Sequence, residues 1–117
     1  MNKLFLLKPE FLDEKLGKEG QRYYCPSCSS VEGVLSYYPA LRGKLEIIYV
    51  DFKKPRHSIV TLLGEENQGC PVLVLDAKEA TANMEGVKMY NDQRFINELP
   101  RILQHLAKQY NIGQPHP

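Results

Sequence analysis

The chain has 117 residues, which is enough to bury one core but not two, so we expect a single domain over residues 1–117. Hydrophobic residues make up 43% and charged residues 25%, a balance typical of folded globular domains rather than disordered chains. A formal charge of +1 supplies no field that would attract nucleic acid or an anionic membrane. We therefore expect neither of these partners.

The three cysteines indicate the cellular compartment of the protein. Two of them stand in a Cys-x-x-Cys motif, and nothing else in the sequence indicates secretion. A disulfide framework fits an odd count poorly, whereas a reducing compartment with reactive or metal-binding thiols fits it well. We therefore expect a cytoplasmic protein.

The first half of the chain predicts a strand, a loop and a helix. The apolar run Leu4–Leu7 is too short for a signal-peptide core or a membrane span and is typical of a buried strand. Residues 8–24 are mostly polar and are predicted to form a long loop. Pro26 suits the first turn of a helix, and apolar residues then recur at helical spacing until Pro39. The motif Cys25-Pro26-Ser27-Cys28 is therefore expected at a helix N-terminus.

The middle of the chain predicts two strands around a short helix. Leu45–Phe52 is rich in β-branched and aromatic residues and is predicted to be a central strand. Ser58–Leu63 predicts a short helix that ends with Gly64 as a left-handed cap. Val72–Leu75 follows a proline and predicts a buried strand.

The last third predicts a loop, two extended segments and a helix. Residues 76–86 are polar and are predicted to form the loop, and residues 87–90 and 94–96 form either a hairpin or one irregular strand. Asn97 is expected to cap the final helix, with Pro100 in its first turn. Residues 111–113 end that helix, and residues 114–117 are expected to form a C-terminal tail.

In chain order these elements predict an α/β domain of the order β-α-β-α-β-β-α. Its first two strands are joined through a helix, so they are expected to be parallel, with a right-handed crossover. A Cys-x-x-Cys beside such a unit is typical of a thioredoxin-like redox domain. We therefore predict a thioredoxin-like three-layer fold, with a central mixed sheet and helices on both faces.

Three segments resemble known thioredoxin-superfamily proteins. Residues 24–28, Tyr-Cys-Pro-Ser-Cys, are similar to the glutaredoxin active site; residues 70–75 and 97–107 are similar to the N-terminal domain of glutathione transferases. The resemblance implies a cis-proline at Pro71 and a thiol or disulfide substrate, either a protein or glutathione. It also implies that substrate or glutathione is bound by a group of residues around the motif and at the final helix, namely Tyr24, Pro26, Cys70, Pro71, Asn97 and Glu98. The transferase pattern has Glu-Ser at the final helix, whereas here Leu99 follows Glu98.

A second resemblance is to an uncharacterised bacterial family of thioredoxin-like domains. It is carried by residues 32–35, residues 64–68 and the closing Pro-His-Pro of residues 115–117. That family has no established activity, so the resemblance implies a fold and no reaction.

The motif predicts thiol-disulfide exchange. A cysteine at a helix N-terminus has its thiolate favoured by the helix dipole and by free backbone N–H groups. Cys25 is therefore the expected catalytic nucleophile, and Cys28, one turn further along, the catalytic thiol that resolves a mixed disulfide. Arg22 stands three residues before Cys25, where it either adds positive potential or is merely solvated.

The same residues also permit non-enzymatic functions. Cys25, Cys28 and Cys70 together are candidate ligands for zinc or copper, with an open position for a substrate or His57. Cys70 is equally well explained as a small buried hydrophobic residue. The fold is also compatible with a role in binding a protein partner. The basic run at residues 53–57 is interpreted as a solvated helix entry.

Overall fold

The structure is a computed structural model that describes residues 1–81 and 83–117. Within these described residues, seven strands form, in chain order β1 (Lys3–Leu7), β2 (Phe11–Leu12), β3 (Arg22–Tyr23), β4 (Glu46–Val50), β5 (Val72–Leu75), β6 (Lys88–Tyr90) and β7 (Gln93–Ile96). The α-helices are α1 (Pro26–Tyr37), α2 (His57–Leu63) and α3 (Leu99–Tyr110). None of the helices in the described residues is long and apolar enough to cross a bilayer.

Five strands form a mixed sheet in the order β4-β1-β5-β7-β6. β1 and β4 are parallel, as predicted for strands joined through a helix, and every other pair in this sheet is antiparallel. This mixed α/β arrangement confirms the predicted fold class and is compatible with a thioredoxin-like fold.

Helices cover both faces of the sheet because side chains alternate along each strand. One face buries Leu4 and Leu6 of β1 against α1 and α3, whose contributions include Val31 and Ile102. The other face buries Phe5, Val72, Val74 and Phe95 against Ile59 and Leu63 of α2. The three-layer arrangement with helices on both faces is therefore confirmed.

β4 is an edge strand, so the prediction of a central strand over residues 45–52 was wrong. Its composition is typical of a buried strand, yet it pairs only with β1 among the described residues, and Tyr49 is 41% exposed. The composition of a segment reflects the burial of its side chains, but it does not show how many neighbouring strands the segment pairs with.

The predicted loop over residues 8–24 contains the small antiparallel pair β2–β3, which the sequence did not indicate. Phe11 of β2 stacks on Phe52 with ring centroids 4.2 Å apart and lies 6.4 Å from the ring of Tyr23. Two-residue strands are too short to show a period, and the partner ring lies about forty residues away in the sequence. These contacts fix the segment that leads into the cysteines.

The remaining elements follow the predictions with local shifts. Gly64 follows α2 with φ 79° and ψ 170°, so its φ is positive but the residue is not in the left-handed helical region that was predicted. β6 and β7 form the hairpin that was one of two alternatives. Glu98 caps α3 with its backbone only, so the prediction of an Asn97 cap was wrong by one residue. Asn111 ends α3 in the left-handed conformation, as expected from its position.

Candidate thiol site

Cys25 lies at the N-terminus of α1, as the sequence predicted. It is the N-cap residue with φ −82° and ψ 113°, and Pro26 is the first helical residue. The backbone N–H of Cys28 donates a hydrogen bond to the Cys25 sulfur at 3.1 Å. Within the described residues, the first turn of α1 holds no acidic side chain, so the positive end of the helix dipole is not neutralised there. The Cys25 sulfur therefore lies at the positive end of the α1 dipole.

Cys28 is buried one turn further along α1, with 5% of its surface exposed. Its sulfur accepts a hydrogen bond from the backbone N–H of Leu7, at the end of β1, at 3.5 Å. Burial, followed by the hydrogen bond with Cys25, raises the pKa of Cys28 to about 12, and the Leu7 N–H only partly offsets this rise. Cys28 is therefore a protonated thiol in the reduced protein, with one backbone donor aimed at its sulfur.

The fold brings Cys70 beside the motif. The peptide bond between Cys70 and Pro71 is cis, in agreement with the resemblance, and the Cys25 sulfur lies 3.8 Å from the carbonyl oxygen of Cys70. Burial raises the pKa of the half-buried Cys70 thiol to about 11, and the positive charge of Arg56 opposes that rise. The Cys25 sulfur is thus held between a backbone donor at Cys28 and a backbone acceptor at Cys70.

A cleft of about 310 Å³ opens beside the two motif cysteines. Its walls combine residues from β1, the segment after it, α1 and β4, namely Leu6, Leu7, Pro9, Tyr24, Cys25, Cys28, Ser29, Glu32, Gly33, Ser36 and Tyr49. Tyr24, a predicted substrate-binding residue, lies in the wall and is 60% exposed. A molecule that reacts with Cys25 therefore has a shaped space next to the sulfur.

A protein-family model described as "Protein of unknown function (DUF3088)" matches residues 1–114. The chain belongs to the DUF3088 family. This agrees with the expected resemblance to an uncharacterised family. Comparison of the DUF3088 chain with curated proteins and with solved structures gives no match.

Asn97 and Glu98 are not among the residues found around the cleft of the DUF3088 domain. They precede α3, where the Lys88 ammonium donates to the Asn97 side-chain oxygen at 2.8 Å and lies 3.6 Å from a Glu98 carboxylate oxygen. Their predicted role in binding glutathione is untested and stays a prediction.

Arg22 lies on β3, and its guanidinium forms a salt bridge of 3.0 Å with the carboxylate of Glu10. Its positive charge is therefore balanced by that carboxylate.

The sequence makes Cys25, Cys28 and Cys70 candidate ligands of one metal ion. Within residues 1–81 and 83–117, no three His, Cys, Asp or Glu side chains are grouped so as to hold a metal ion. All three cysteines are free thiols. Zinc or copper binding by the DUF3088 domain stays a prediction.

Two polar groups near the site were missed in the sequence. Arg56 was interpreted as part of a solvated basic run, but it is buried, and its guanidinium donates to the backbone carbonyls of Phe52 and Gln68. Glu32, in the cleft wall, accepts from the Arg42 guanidinium through one oxygen and from the Tyr49 hydroxyl, at 2.8 Å, through the other. The spacing of Glu32, Arg42 and Tyr49 carries no motif. Glu32 lies on α1, Tyr49 on β4 and Arg42 in a short 3-10 helix, Pro39–Gly43, that contacts both, so only the tertiary fold brings them together.

Proposed function

We propose that the DUF3088 domain is a thiol-disulfide oxidoreductase in which Cys25 is the nucleophile and Cys28 the resolving thiol. The observation that supports this most directly is the position of the Cys25 sulfur: it caps α1, accepts the Cys28 N–H at 3.1 Å and borders the cleft. A backbone donor and an unneutralised helix N-terminus stabilise a thiolate, which is the reactive form in disulfide exchange.

The two cysteines have different surroundings, which suits them to successive steps. Cys25 is partly exposed, whereas Cys28 is buried and its pKa is raised to about 12. Cys25 is therefore accessible to a substrate disulfide first. Cys28 reacts only with a sulfur that is already at its side, because only 5% of its surface is exposed.

The reaction balances as a two-electron exchange. The Cys25 thiolate attacks one sulfur of the substrate disulfide, forms a mixed disulfide and releases the other half, which takes a proton from solvent. Cys28 then loses its proton to solvent as its sulfur attacks the Cys25 sulfur, with the Leu7 N–H stabilising the developing thiolate. The second half of the substrate leaves as a thiol. The substrate is reduced by two electrons, the cysteine pair is oxidised to a disulfide, and a thiol reductant such as dithiothreitol or glutathione restores the pair.

Cys70, which precedes the cis-proline Pro71, borders the reacting sulfur in this proposal. The Cys70 carbonyl lies 3.8 Å from the Cys25 sulfur and accepts its S–H when the thiol is protonated. Because this contact uses the backbone, replacing the Cys70 side chain by serine preserves it. Cys70→Ser is therefore a matched control for changes at the motif cysteines.

The test is to mix each reduced protein with bis(2-hydroxyethyl) disulfide near neutral pH, block free thiols with N-ethylmaleimide and analyse the products by mass spectrometry. The wild type and Cys70→Ser are expected to form the Cys25–Cys28 disulfide. Cys28→Ser is expected to stop at a mixed disulfide on Cys25. Cys25→Ser is expected to react at about one-hundredth of the wild-type rate or below it. Reaction of Cys25→Ser at the wild-type rate would overturn the proposal.

A further inference from the structure

We infer that the cleft beside Cys25 selects disulfides that carry an uncharged, apolar group next to the reacting sulfur, in preference to anionic disulfides such as oxidised glutathione. The inference rests on the proposed function, because it names the substrate class of the same thiol. Three properties of the cleft support it: its position, its charge and its shape.

The cleft lies where the group attached to the reacting sulfur must go. Both motif cysteines border it, and it extends from them along α1 to Ser36 and across to Tyr49 on β4. A mixed disulfide on Cys25 places the substrate's sulfur at one end of this space. The residue or substituent next to that sulfur then lies against the cleft walls.

Within its described lining, the cleft offers no free counter-ion to a charged substituent. Among the residues found to line it, none is Lys, Arg or His, and its one carboxylate is Glu32. Partial burial alone would raise the pKa of Glu32, but hydrogen bonds from Arg42 and Tyr49 outweigh burial and lower it, so the group stays ionised near neutral pH. Substrate carboxylates are usually held by cations or by free helix N-termini, and the α1 N-terminus already serves the Cys25 sulfur. Because Glu32 is already paired with Arg42 and no Lys, Arg or His is found in the described lining, a charged substituent of either sign loses water there without gaining a free counter-ion.

The shape of the cleft leaves room for an apolar side chain. Gly33 lies inside α1, where glycine is less favourable than alanine, and a Cβ there would meet no described atom within 4 Å. The helix backbone does not require a glycine at this position, and the missing side chain leaves open space on this face of α1. Opposite walls include Leu6, Leu7 and Pro9, which offer apolar surface. An apolar group placed there loses contact with water against these apolar side chains, which is favourable.

The experiment uses symmetrical disulfides of three N-acetyl dipeptide amides, Leu-Cys, Asp-Cys and Lys-Cys, with the reduced full-length protein. Each rate constant is divided by that for free dithiothreitol with the same disulfide, which removes the intrinsic reactivity of the reagent. The Leu-Cys disulfide is expected to react at least about 10-fold faster than the Asp-Cys disulfide, and faster than the Lys-Cys disulfide. Glu32→Gln should raise the rate with the Asp-Cys disulfide, because it leaves the positive charge of Arg42 without its carboxylate partner.

A pair of variants tests whether the cleft is responsible. Gly33→Leu fills the space and is expected to slow the Leu-Cys disulfide about 10-fold, whereas Ser30→Leu adds the same side chain at an exposed position of α1 outside the cleft lining. The alkylation rate of Cys25 with iodoacetamide, a small reagent, should be unchanged in both variants, which shows that the thiol and its helix are intact.

The outcomes separate this inference from the proposed function. Equal normalised rates for the three dipeptides, or an unchanged rate for Gly33→Leu, would overturn the inference and leave thiol-disulfide exchange standing. A protein whose Cys25 exchanges with none of the three disulfides would overturn the proposed function, and with it the inference.

Discussion

Arg56 and Gln68 hold each other through two hydrogen bonds of 2.7 Å. The Arg56 guanidinium donates to the backbone carbonyl of Gln68, and the Gln68 side-chain oxygen accepts from the backbone N–H of Arg56. The guanidinium also donates to the backbone carbonyl of Phe52 and lies 5.5 Å from the centre of its ring. Gln68 stands two residues before Cys70, so this clamp helps to fix the segment that carries the Cys70 carbonyl to Cys25.

The clamp predicts a large loss of stability when Arg56 is removed. Arg56→Ala leaves buried carbonyls without donors and is expected to lower the free energy of unfolding by about 3 kcal/mol. Arg56→Lys keeps the charge but loses the planar fork that spans two carbonyls, so about half of that loss is expected. Urea unfolding followed by circular dichroism measures both variants. Lys53→Ala, in the same basic run but exposed, is the control, and an equal effect of Arg56→Ala and Lys53→Ala would contradict this account.

The burial of Arg56 shows what the sequence could not predict. A run of Lys, Arg and His usually marks a solvated surface, and the interpretation of residues 53–57 holds for its exposed lysines. Arg56 differs from them only through its partners, which are backbone carbonyls of Phe52 and Gln68 that the fold brings together. Because backbone acceptors have no residue signature, local composition could not identify this buried cation.

The position of the motif, in contrast, could be predicted because its signals are local. Pro26 fits the first helical residue and Cys25 the cap, and both requirements concern adjacent residues. The predicted neighbourhood of Cys70 came from resemblance to known folds, not from spacing. The cleft could not be predicted from either, since it depends on how α1 packs beside the edge strand β4.

The surroundings of the three thiols predict a strict order of reactivity. Burial raises the pKa of Cys28 to about 12 and that of Cys70 to about 11, so near neutral pH both are almost wholly protonated. Iodoacetamide should therefore alkylate Cys25 first, at least about 10-fold faster than either of the others, as measured by peptide mass spectrometry over time. In urea, where burial is lost, all three should react at similar rates. Faster alkylation of Cys28 or Cys70 in the folded protein would refute this order.

The close approach of Gly64 and Tyr90 predicts a position that accepts only glycine. Gly64 has φ 79°, and a Cβ there would lie 2.7 Å from Cζ of the Tyr90 ring. Gly64→Ala is expected to lower the free energy of unfolding by about 2 kcal/mol, partly from the backbone and partly from the clash. Gly69→Ala is the control, because a Cβ there meets no described atom within 4 Å. If the clash contributes, the loss caused by Gly64→Ala should be smaller in a Tyr90→Ala background, and an undiminished loss would assign it to the backbone alone.

His105 predicts a loss of stability in mild acid. It is fully buried in α3. Burial lowers its pKa from the ordinary 6.5, the charge of Arg94 lowers it further, and the backbone of Asn83 opposes this only in part. The unfolded chain therefore takes up a proton near pH 6.5, while the folded chain takes it up only at lower pH. The stability that neutral His105 contributes is present above about pH 6.5 and is lost as the pH falls below it.

The free energy of unfolding, measured by urea titrations, is expected to fall as the pH is lowered below about 6.5, with a slope from this one group of at most about 1.4 kcal/mol per pH unit. His105→Leu keeps an apolar side chain of similar size and should remove that slope, so that the variant gains on the wild type as the pH falls from 7.5 to 5. Carboxylates whose pKa is lowered, such as Glu32, titrate in more acidic solution and are common to both proteins. His116→Leu, in the exposed tail, should behave as the wild type. If the wild type and His105→Leu lose stability in parallel, the buried imidazole is not the group that titrates.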